Sequence, residues 1–294
     1  MGAQLGLGTA NFLPGYGPTA GGSPNPALLA AGFAEGIRYV DTAAAYGGGE
    51  AALGQLADEV RSLGVRVATK IQPPVQTRDA YTVALHLSLQ QLRLSAVDTV
   101  MLHSAPGALL ASADVARAWS GLRSAAPATR FGASTYGVAD ARVAASAPWC
   151  DALQVEFSIL NQSVIGALRR AGSPTCEVIV RSVLCKGLLT PAALGLTLAP
   201  AAVDTLRALS AIAARLQMDL ATMAIRFALD TPGIDVVLVG VSTLGELQAV
   251  IRAWRLPPLS ARAYDEIAAF DRSSADWTHP ERWPGGRPDA AAGA

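Results

Sequence analysis

Short apolar runs alternate with longer amphipathic segments along most of the chain. Eight runs of five to seven residues have the length and residue types of buried strands. They cover residues 5–9, 37–41, 65–70, 97–103, 130–134, 152–156, 177–182 and 235–240. Helical patterns lie between these runs, and the clearest covers residues 79–94. Strand and helix repeated eight times predict an α/β fold, a closed (β/α)8 TIM barrel in a single domain.

Further elements are predicted towards the end of the chain. Residues 201–216 and 220–229 are both apolar-periodic, which predicts an extra helix between the seventh and eighth strands, and residues 260–270 predict one more. We therefore expect the barrel and its C-terminal helices to occupy residues 1–270. Residues 271–294 are rich in Pro, Gly and small side chains, so we expect a tail that is partly disordered and able to cover the mouth of the barrel.

Composition agrees with one large domain and excludes several function classes. Hydrophobic residues make up 51% of the 294 residues and charged residues 16%, enough for a sizeable core. Mean hydropathy is +0.32, but no uninterrupted apolar stretch approaches the roughly 18 residues of a membrane span. A net charge of zero with no basic cluster argues against a nucleic-acid partner. No leader pattern is present at the start, so we expect a cytoplasmic protein; the oligomeric state is left open.

Cysteine usage does not indicate a metal or disulfide framework. Cys150, Cys176 and Cys185 are odd in number and lack C-x-x-C spacing. We expect reduced thiols in the core and no metal site.

Polar residues close three consecutive predicted strands. Asp41 ends the second strand, Lys70 the third and His103 the fourth, and Tyr46 follows Asp41 in the next loop. In a barrel of this kind the carboxyl ends of the strands form the active face, and neighbouring strands lie about 4.8 Å apart. We therefore expect these four side chains to form one cluster. Each residue taken singly also has a structural interpretation, as a helix cap, a packing ring, a strand end or a core histidine.

The residue types in this cluster suit proton transfer. Lys70 and Lys186 are the only lysines among 23 basic residues. An ammonium beside Tyr46 is expected to lower the pKa of the phenol from about 10, while Asp41 keeps Lys70 charged in a buried pocket. A hydrogen bond from His103 would orient an oxygen atom. The sequence therefore predicts that Tyr46 can protonate an oxyanion that develops on a carbonyl.

Several longer segments resemble the aldo-keto reductase family. They are "GLGTANF" (6–12), "GIRYVDTAAAYGGGEAALG" (36–54), "VATK" (67–70), "SLQQLRLSAVDTVMLH" (88–103), "FGASTYG" (131–137), "QVEFSILN" (154–161), "RSVLCKGLL" (181–189) and "VLVGVSTLGEL" (237–247). The resemblance implies an eight-stranded barrel with a nicotinamide cofactor, NAD(P)H, across its mouth, and a small-molecule carbonyl or alcohol as substrate. It also implies that Asp41, Tyr46, Lys70 and His103 are the catalytic residues.

The same resemblance assigns contacts to the cofactor. The residues concerned are Gly8, Thr9, Asp41, Ser134, Gln154, Arg181, Ser182, Leu184, Lys186, Gly240, Ser242 and Glu246. Ser134 and Gln154 would hold the nicotinamide carboxamide. The loop of residues 182–186 would follow the diphosphate, and the start of the last helix would receive a phosphate.

The substrate pocket is expected in the first loop and above the catalytic cluster. Its predicted residues are Phe12, Tyr16, Tyr46 and His103. Trp277 and His279 in the tail are further candidates for reaching it.

Two residues depart from the family pattern. Arg181 stands where many relatives have an aromatic ring stacked on the nicotinamide, and its charge would disfavour the oxidised, cationic ring. Glu246 stands where relatives often use a base to bind the 2′-phosphate of NADPH, although Arg252 lies one to two turns further on. We expect NADPH as the cofactor, with NADH as the alternative because of Glu246.

Two other functions are compatible with the sequence. The first is a nicotinamide-binding barrel with a sensing or scaffolding role, suggested by the unusual residues of the predicted adenine site. The second is a Schiff-base lyase, because a lysine at a strand end beside an acid can form imines.

Overall fold

Eight parallel strands close into one barrel in chain order, with each strand hydrogen-bonded to the next and the last paired with the first. The computed structural model describes residues 2–13, 23–72, 77–124, 128–172 and 174–279. The strands are β1 (Gln4–Gly8), β2 (Tyr39–Asp41), β3 (Arg66–Ile71), β4 (Val97–Leu102), β5 (Ala128–Ser134), β6 (Ala152–Glu156), β7 (Glu177–Arg181) and β8 (Val236–Gly240). Their ends differ from the predicted runs by no more than two residues. The predicted (β/α)8 barrel is confirmed.

Twelve α-helices surround the barrel in the part of the chain that the structure describes. They are α1 (Pro26–Ala34), α2 (Gly49–Gly54), α3 (Ala57–Ser62), α4 (Arg78–Leu92), α5 (Gly107–Leu110), α6 (Ala113–Arg123), α7 (Gly137–Ser146), α8 (Ser163–Arg170), α9 (Pro200–Arg215), α10 (Leu220–Asp230), α11 (Leu244–Arg255) and α12 (Ala261–Ala268). The extra helix between the last two strands is present, because α9 and α10 both lie there. Helix α12 is the additional C-terminal helix that the sequence predicts.

Helix α4 shows how the hydrophobic pattern becomes packing. Tyr81, Leu85 and Leu89 are buried, whereas Val83 and Leu87 on the other face are 59% and 58% exposed. The Thr77 hydroxyl accepts a hydrogen bond from the Ala80 amide and begins the helix. The apolar stripe therefore places α4 against the barrel, as its spacing of three and four residues requires.

The core has two layers, one inside the barrel and one between the strands and the helices. The inner layer consists of Tyr39, Ala68, Met101, Ala152, Ile179, Val236 and Leu238. Gly6 leaves room for it, because a Cβ atom there would lie 2.8 Å from a Leu238 methyl group and 3.0 Å from the Tyr39 ring. The barrel interior is therefore filled with side chains beneath the active face.

Charged side chains close the opposite end of the barrel. Arg66 at the start of β3 donates to Asp98 at 3.0 Å and, across the interior, to Glu177 at 2.8 Å. Arg130 adds a contact of 2.9 Å to Asp98. We call these four residues the ionic network at the amino ends of the strands.

The segment after α12 packs beside the loop that follows β6. The Arg272 amide donates to the Leu160 carbonyl at 2.8 Å. The His279 ring lies between Asn161, 3.3 Å away, and the Ser273 carbonyl, which accepts from Nε2 at 2.7 Å. Residues 280–294, including Trp283, lie outside the described residues, so the partly disordered tail over the barrel mouth stays a prediction.

Among the described residues, no single helix is long and apolar enough to cross a membrane. Helices α9 and α10 pass the same test only when they are taken together, and they are bent by 82° at the break between them.

Candidate active site

A buried ion pair lies at the carboxyl ends of β2 and β3. Lys70 Nζ is 2.6 Å from both carboxylate oxygens of Asp41 and donates to the Thr42 carbonyl at 3.0 Å. The two strands are neighbours, with Asp41 in register with Ala68, so that Lys70 lies one inward-facing position further along. The lysine is 0% exposed. An ammonium buried this completely needs its carboxylate, because an isolated charge in the interior is costly.

Tyr46 and His103 complete the group that the sequence predicts to cluster. Lys70 Nζ is 4.8 Å from the centre of the Tyr46 ring. The Tyr46 and His103 rings meet edge to face, with centres 5.4 Å apart. Tyr46 reaches this position through a tight turn in which Gly47 and Gly48 have φ of 51° and 92°, values that favour glycine. The fold therefore brings together side chains from the ends of three consecutive strands and from the loop after β2.

The electrostatics of Tyr46 differ from the sequence prediction. Burial and the Asp41 carboxylate raise the pKa of the phenol well above its ordinary value, and Arg181 opposes them only in part. The prediction of a lowered pKa is wrong, because burial and the Asp41 carboxylate together outweigh the neighbouring positive charge. The phenol is therefore fully protonated at neutral pH, which is the form that donates a proton.

His103 is a neutral imidazole. Burial, followed by the charges of Lys70 and Arg181, lowers the pKa of His103 to about 3. Its Nδ1 is buried and has no hydrogen-bond partner among the described residues. A neutral ring of this kind can donate or accept a hydrogen bond at the site without carrying charge.

A second group of side chains holds the ion pair from below. Gln154 Nε2 donates to Asp41 Oδ1 at 2.7 Å, and Ser134 Oγ donates to Gln154 Oε1 at 3.2 Å. Thr9 is fully buried and its amide donates to the Asp41 carbonyl at 2.9 Å. Ser134 and Gln154 are thus linked through Asp41 to the cluster of Asp41, Lys70, Tyr46 and His103.

Glu50 belongs to the same support and was not predicted from the sequence. Its carboxylate accepts a hydrogen bond of 2.5 Å from Thr69, the residue before Lys70, and only 4% of Glu50 is exposed. The available signal was its place directly after the glycines that follow Tyr46. A buried acid there anchors α2 to β3.

A cavity of about 750 Å³ opens above the ion pair and extends outward to the first turns of α10 and α11. Nine predicted residues line it: Gly8, Asp41, Tyr46, Arg181, Ser182, Leu184, Lys186, Gly240 and Glu246. Other predicted residues lie off its walls, namely Thr9, Lys70, His103, Ser134, Gln154 and Ser242. Most of the expected cofactor contacts therefore share one space with the Tyr46 ring.

The predicted substrate pocket needs a correction at Phe12. Its ring is 3% exposed and belongs to the hydrophobic core, so it does not form part of the cavity wall. Tyr16 lies outside the described residues. His279 is buried in its contacts with Asn161 and Ser273 and is not on the wall either, while Trp277 packs against the core.

Asn11 lines the cavity but was not among the predicted residues. Its Nδ2 donates to Ser242 Oγ at 3.4 Å. A Cβ atom on Gly240 would lie 2.4 Å from Asn11 Oδ1, so any larger residue there would displace the Asn11 side chain. The signal was its position in the loop after β1, at the same edge of the barrel as the catalytic residues.

Two cations lie along the middle of the cavity wall. Arg181 donates to the Thr135 carbonyl at 2.9 Å, and its guanidinium lies 4.0 Å from the centre of the Tyr136 ring. Lys186 follows in a turn where its own φ is 49° and that of Gly187 is 97°. This left-handed backbone presents the loop of residues 182–187 to the cavity.

The outer end of the cavity carries acids. Glu246 accepts a hydrogen bond from the Ser242 amide at 2.7 Å, and the Thr243 hydroxyl accepts from the Glu246 amide at 3.1 Å. This arrangement resembles a capping box at the start of α11, except that the carboxylate binds the amide of the residue before the N-cap Thr243. Asp219 caps α10 on the facing wall by accepting from the Thr222 amide.

The sequence model of the aldo/keto reductase family matches residues 4–272. The chain belongs to this family. No curated protein sequence gives a significant match.

Solved structures of other aldo-keto reductases share the barrel. The holo form of one from Bacillus halodurans has a TM-score of 0.76 at 19% identity, covering 92% of each chain. A glycerol dehydrogenase from Gluconobacter oxydans has a TM-score of 0.71 at 18% identity, again over 92% of each chain. One from Klebsiella pneumoniae in complex with NADPH has 0.70 at 19% identity, over 91% of this chain and 90% of that one. At these identities the likeness concerns the fold.

Family membership carries the general function. This aldo-keto reductase is an oxidoreductase of the type that acts on small carbonyl compounds or alcohols with NAD(P)H. Within the described residues, no group of three or more His, Cys, Asp or Glu side chains could hold a metal ion.

Proposed function

We propose that this aldo-keto reductase reduces an aldehyde or ketone to an alcohol, or catalyses the reverse reaction, with Tyr46 as the general acid or base. The observation that carries the proposal is the fully buried Lys70–Asp41 pair, whose ammonium lies 4.8 Å from the centre of the Tyr46 ring. Such a pair fixes a positive charge beside the phenol and orients both groups before substrate binds.

The cavity has the features that a nicotinamide cofactor requires. A volume of about 750 Å³ is within the range of small-molecule sites. Lys186 on its wall would bind the diphosphate, and Gly240 allows close approach of backbone to ligand. Ser134 and Gln154 lie off the cavity wall and are bonded to each other and to Asp41, so their predicted contact with the carboxamide stays a prediction. When bound, the nicotinamide supplies or accepts the hydride.

Proton transfer is the part of the reaction that this chain's residues perform. The protonated Tyr46 hydroxyl gives its proton to the substrate oxygen as negative charge develops there. The phenolate left behind is stabilised by Lys70 and by Arg181, which already lowers the pKa of Tyr46. His103, held neutral, hydrogen-bonds the same oxygen and orients it.

Arg181 also favours one direction of the reaction. Its guanidinium is fixed on the wall that the cavity shares with Tyr46 and Asp41. A positive charge at this point disfavours the cationic, oxidised ring relative to the neutral, reduced one. Such a site takes up the reduced cofactor in preference to the oxidised one. We therefore propose reduction of a small aldehyde or ketone as the favoured direction, and the cytoplasm as the location.

The test is loss of NAD(P)H absorbance with a panel of small aldehydes and ketones, compared between wild type and Tyr46→Phe. Phenylalanine retains the ring contact with His103 and removes only the hydroxyl, so we expect kcat to fall by about 10²–10⁴-fold. Cofactor affinity should remain within about twofold of wild type. Equal turnover in the two proteins would contradict the proposed role of Tyr46.

Two alternatives give different outcomes in the same experiments. Tight cofactor binding without turnover of any compound would favour a sensing or scaffolding role. Trapping of a keto compound on Lys70 by borohydride would favour a Schiff-base lyase. The contacts argue against the lyase, because both carboxylate oxygens of Asp41 hold the ammonium at 2.6 Å and an imine requires the free amine.

A further inference from the structure

The two ends of the cavity differ in charge. Arg181 and Lys186 lie on the wall between the catalytic cluster and the outer helices, whereas Asp219 and Glu246 lie at the outer end. Beyond Lys186, no Lys or Arg among the described residues lines the wall. If the proposed function is right, the nicotinamide lies near Tyr46, and the adenosine half of an extended dinucleotide lies at this acidic end.

A hydrogen bond from the Ser242 amide holds the Glu246 carboxylate at the cavity wall. Its carboxylate accepts from the Ser242 amide at 2.7 Å, and its own amide is bonded to Thr243. The carboxylate thus accepts a hydrogen bond from a backbone N–H at the start of a helix, and such N–H groups can otherwise bind a phosphate. Ala249 and Val250 follow on the same face and also line the cavity.

Arg252 does not compensate for this acid. It is six residues after Glu246, which at about 100° per residue places it roughly 120° away around the helix. It is exposed and is not among the described residues that line the cavity. Arg252, which the sequence offers as a cation for the 2′-phosphate of NADPH, is therefore directed away from the cavity.

We propose that Glu246 makes this chain bind NADH in preference to NADPH. A ribose 2′-hydroxyl can donate a hydrogen bond to a carboxylate. A 2′-phosphate carries about −1.5 to −2 charges at neutral pH and would face the Glu246 and Asp219 carboxylates instead. This inference rests on the proposed function, because that function places the adenosine at the outer end of the cavity.

The experiment measures Kd rather than turnover. Wild type, Glu246→Gln and the control Glu59→Gln are titrated with NADH, NADPH, ADP-ribose and 2′-phospho-ADP-ribose by calorimetry. Glutamine also serves in capping boxes, so α11 should be retained, and a thermal melt of each variant checks this. Glu59 is exposed on α3 and away from the cavity wall, so its variant makes the same change of charge elsewhere.

We expect wild type to bind NADH at least about tenfold more tightly than NADPH, and Glu246→Gln to reduce that ratio about tenfold by improving NADPH binding. The two ADP-ribose compounds should show the same preference without a nicotinamide. Equal or tighter binding of NADPH by wild type, or a ratio that Glu246→Gln leaves unchanged, would overturn this inference alone. Failure of both dinucleotides to bind would contradict the proposed function as well.

Discussion

Replacing Asp41 by asparagine removes the carboxylate from a lysine that is 0% exposed. Both 2.6 Å contacts to Lys70 lose their charge, while the neutral amide oxygen can still accept from Gln154. Breaking a buried pair by removing one partner typically costs about 3–5 kcal/mol. A chain of 294 residues has an unfolding entropy of about 0.6 kcal/mol/K near 60 °C, so about 4 kcal/mol corresponds to a Tm lower by about 6 °C.

The assay is thermal unfolding at pH 7, followed by circular dichroism, for Asp41→Asn, Lys70→Met and the double variant. The double variant has no unpaired charge, so we expect it to recover half or more of the stability that Asp41→Asn loses. Reductase activity should be lost in all three proteins, because the charge beside Tyr46 is absent or unpaired in each. A Tm for Asp41→Asn within about 1 °C of wild type would refute the energetic reasoning, since a buried unpaired ammonium cannot be that inexpensive.

Four further outcomes are expected from the charges in the structure. Because the pKa of Tyr46 is raised, kcat/KM for reduction should stay constant from neutral pH to about pH 9, while kcat/KM for alcohol oxidation should rise with pH. Stopped-flow measurements of both directions across this pH range check the prediction. The same profiles should contain no inflection between pH 5 and 8 from His103, because its pKa is about 3. An inflection in that range that disappears in His103→Gln would contradict a neutral imidazole. Arg181→Leu should tighten binding of the oxidised cofactor relative to the reduced one by about fivefold, measured as the ratio of the two Kd values, because a fixed charge near the cationic ring is removed. Asp98→Asn should lower the free energy of unfolding by about 2 kcal/mol at pH 7, between the values of exposed and buried pairs, without changing activity. Burial opposes ionisation of Asp98, but hydrogen bonds from Arg66 and Thr99 outweigh it and lower the pKa of this carboxyl. Its contribution to stability is therefore present above about pH 4 and is lost at lower pH. In urea melts, the difference in unfolding free energy between wild type and Asp98→Asn should be smaller at pH 3 than at pH 7.

The sequence is informative about the barrel because its signals are local. Each strand is a short run of buried apolar residues, and helix α4 carries its stripe at the spacing that the fold uses. The cluster of Asp41, Lys70 and His103 was predictable for a related reason. In a parallel barrel, residues at the ends of consecutive strands must be neighbours whatever their side chains do.

Other features depend on side-chain geometry that no local pattern encodes. The direction of the Tyr46 pKa shift depends first on how deeply the phenol is buried and then on how closely Asp41 approaches it. Phe12 and Asn11 are adjacent in sequence, yet one enters the core and the other the cavity, because the short helix of residues 10–12 turns them apart. Arg252 is near Glu246 in sequence, and only the rotation of α11 separates them.

The ionic network of Arg66, Asp98, Glu177 and Arg130 ties β3, β4, β5 and β7 together at the end of the barrel remote from Tyr46. The network thus stabilises one end of the barrel, and the proposed active site lies at the other end. Loops at the reactive rim can then be exchanged or lengthened to change which compounds enter, while the strands that carry Asp41 and Lys70 keep their spacing. An engineer seeking new substrates should graft at that rim and leave the four charged residues intact.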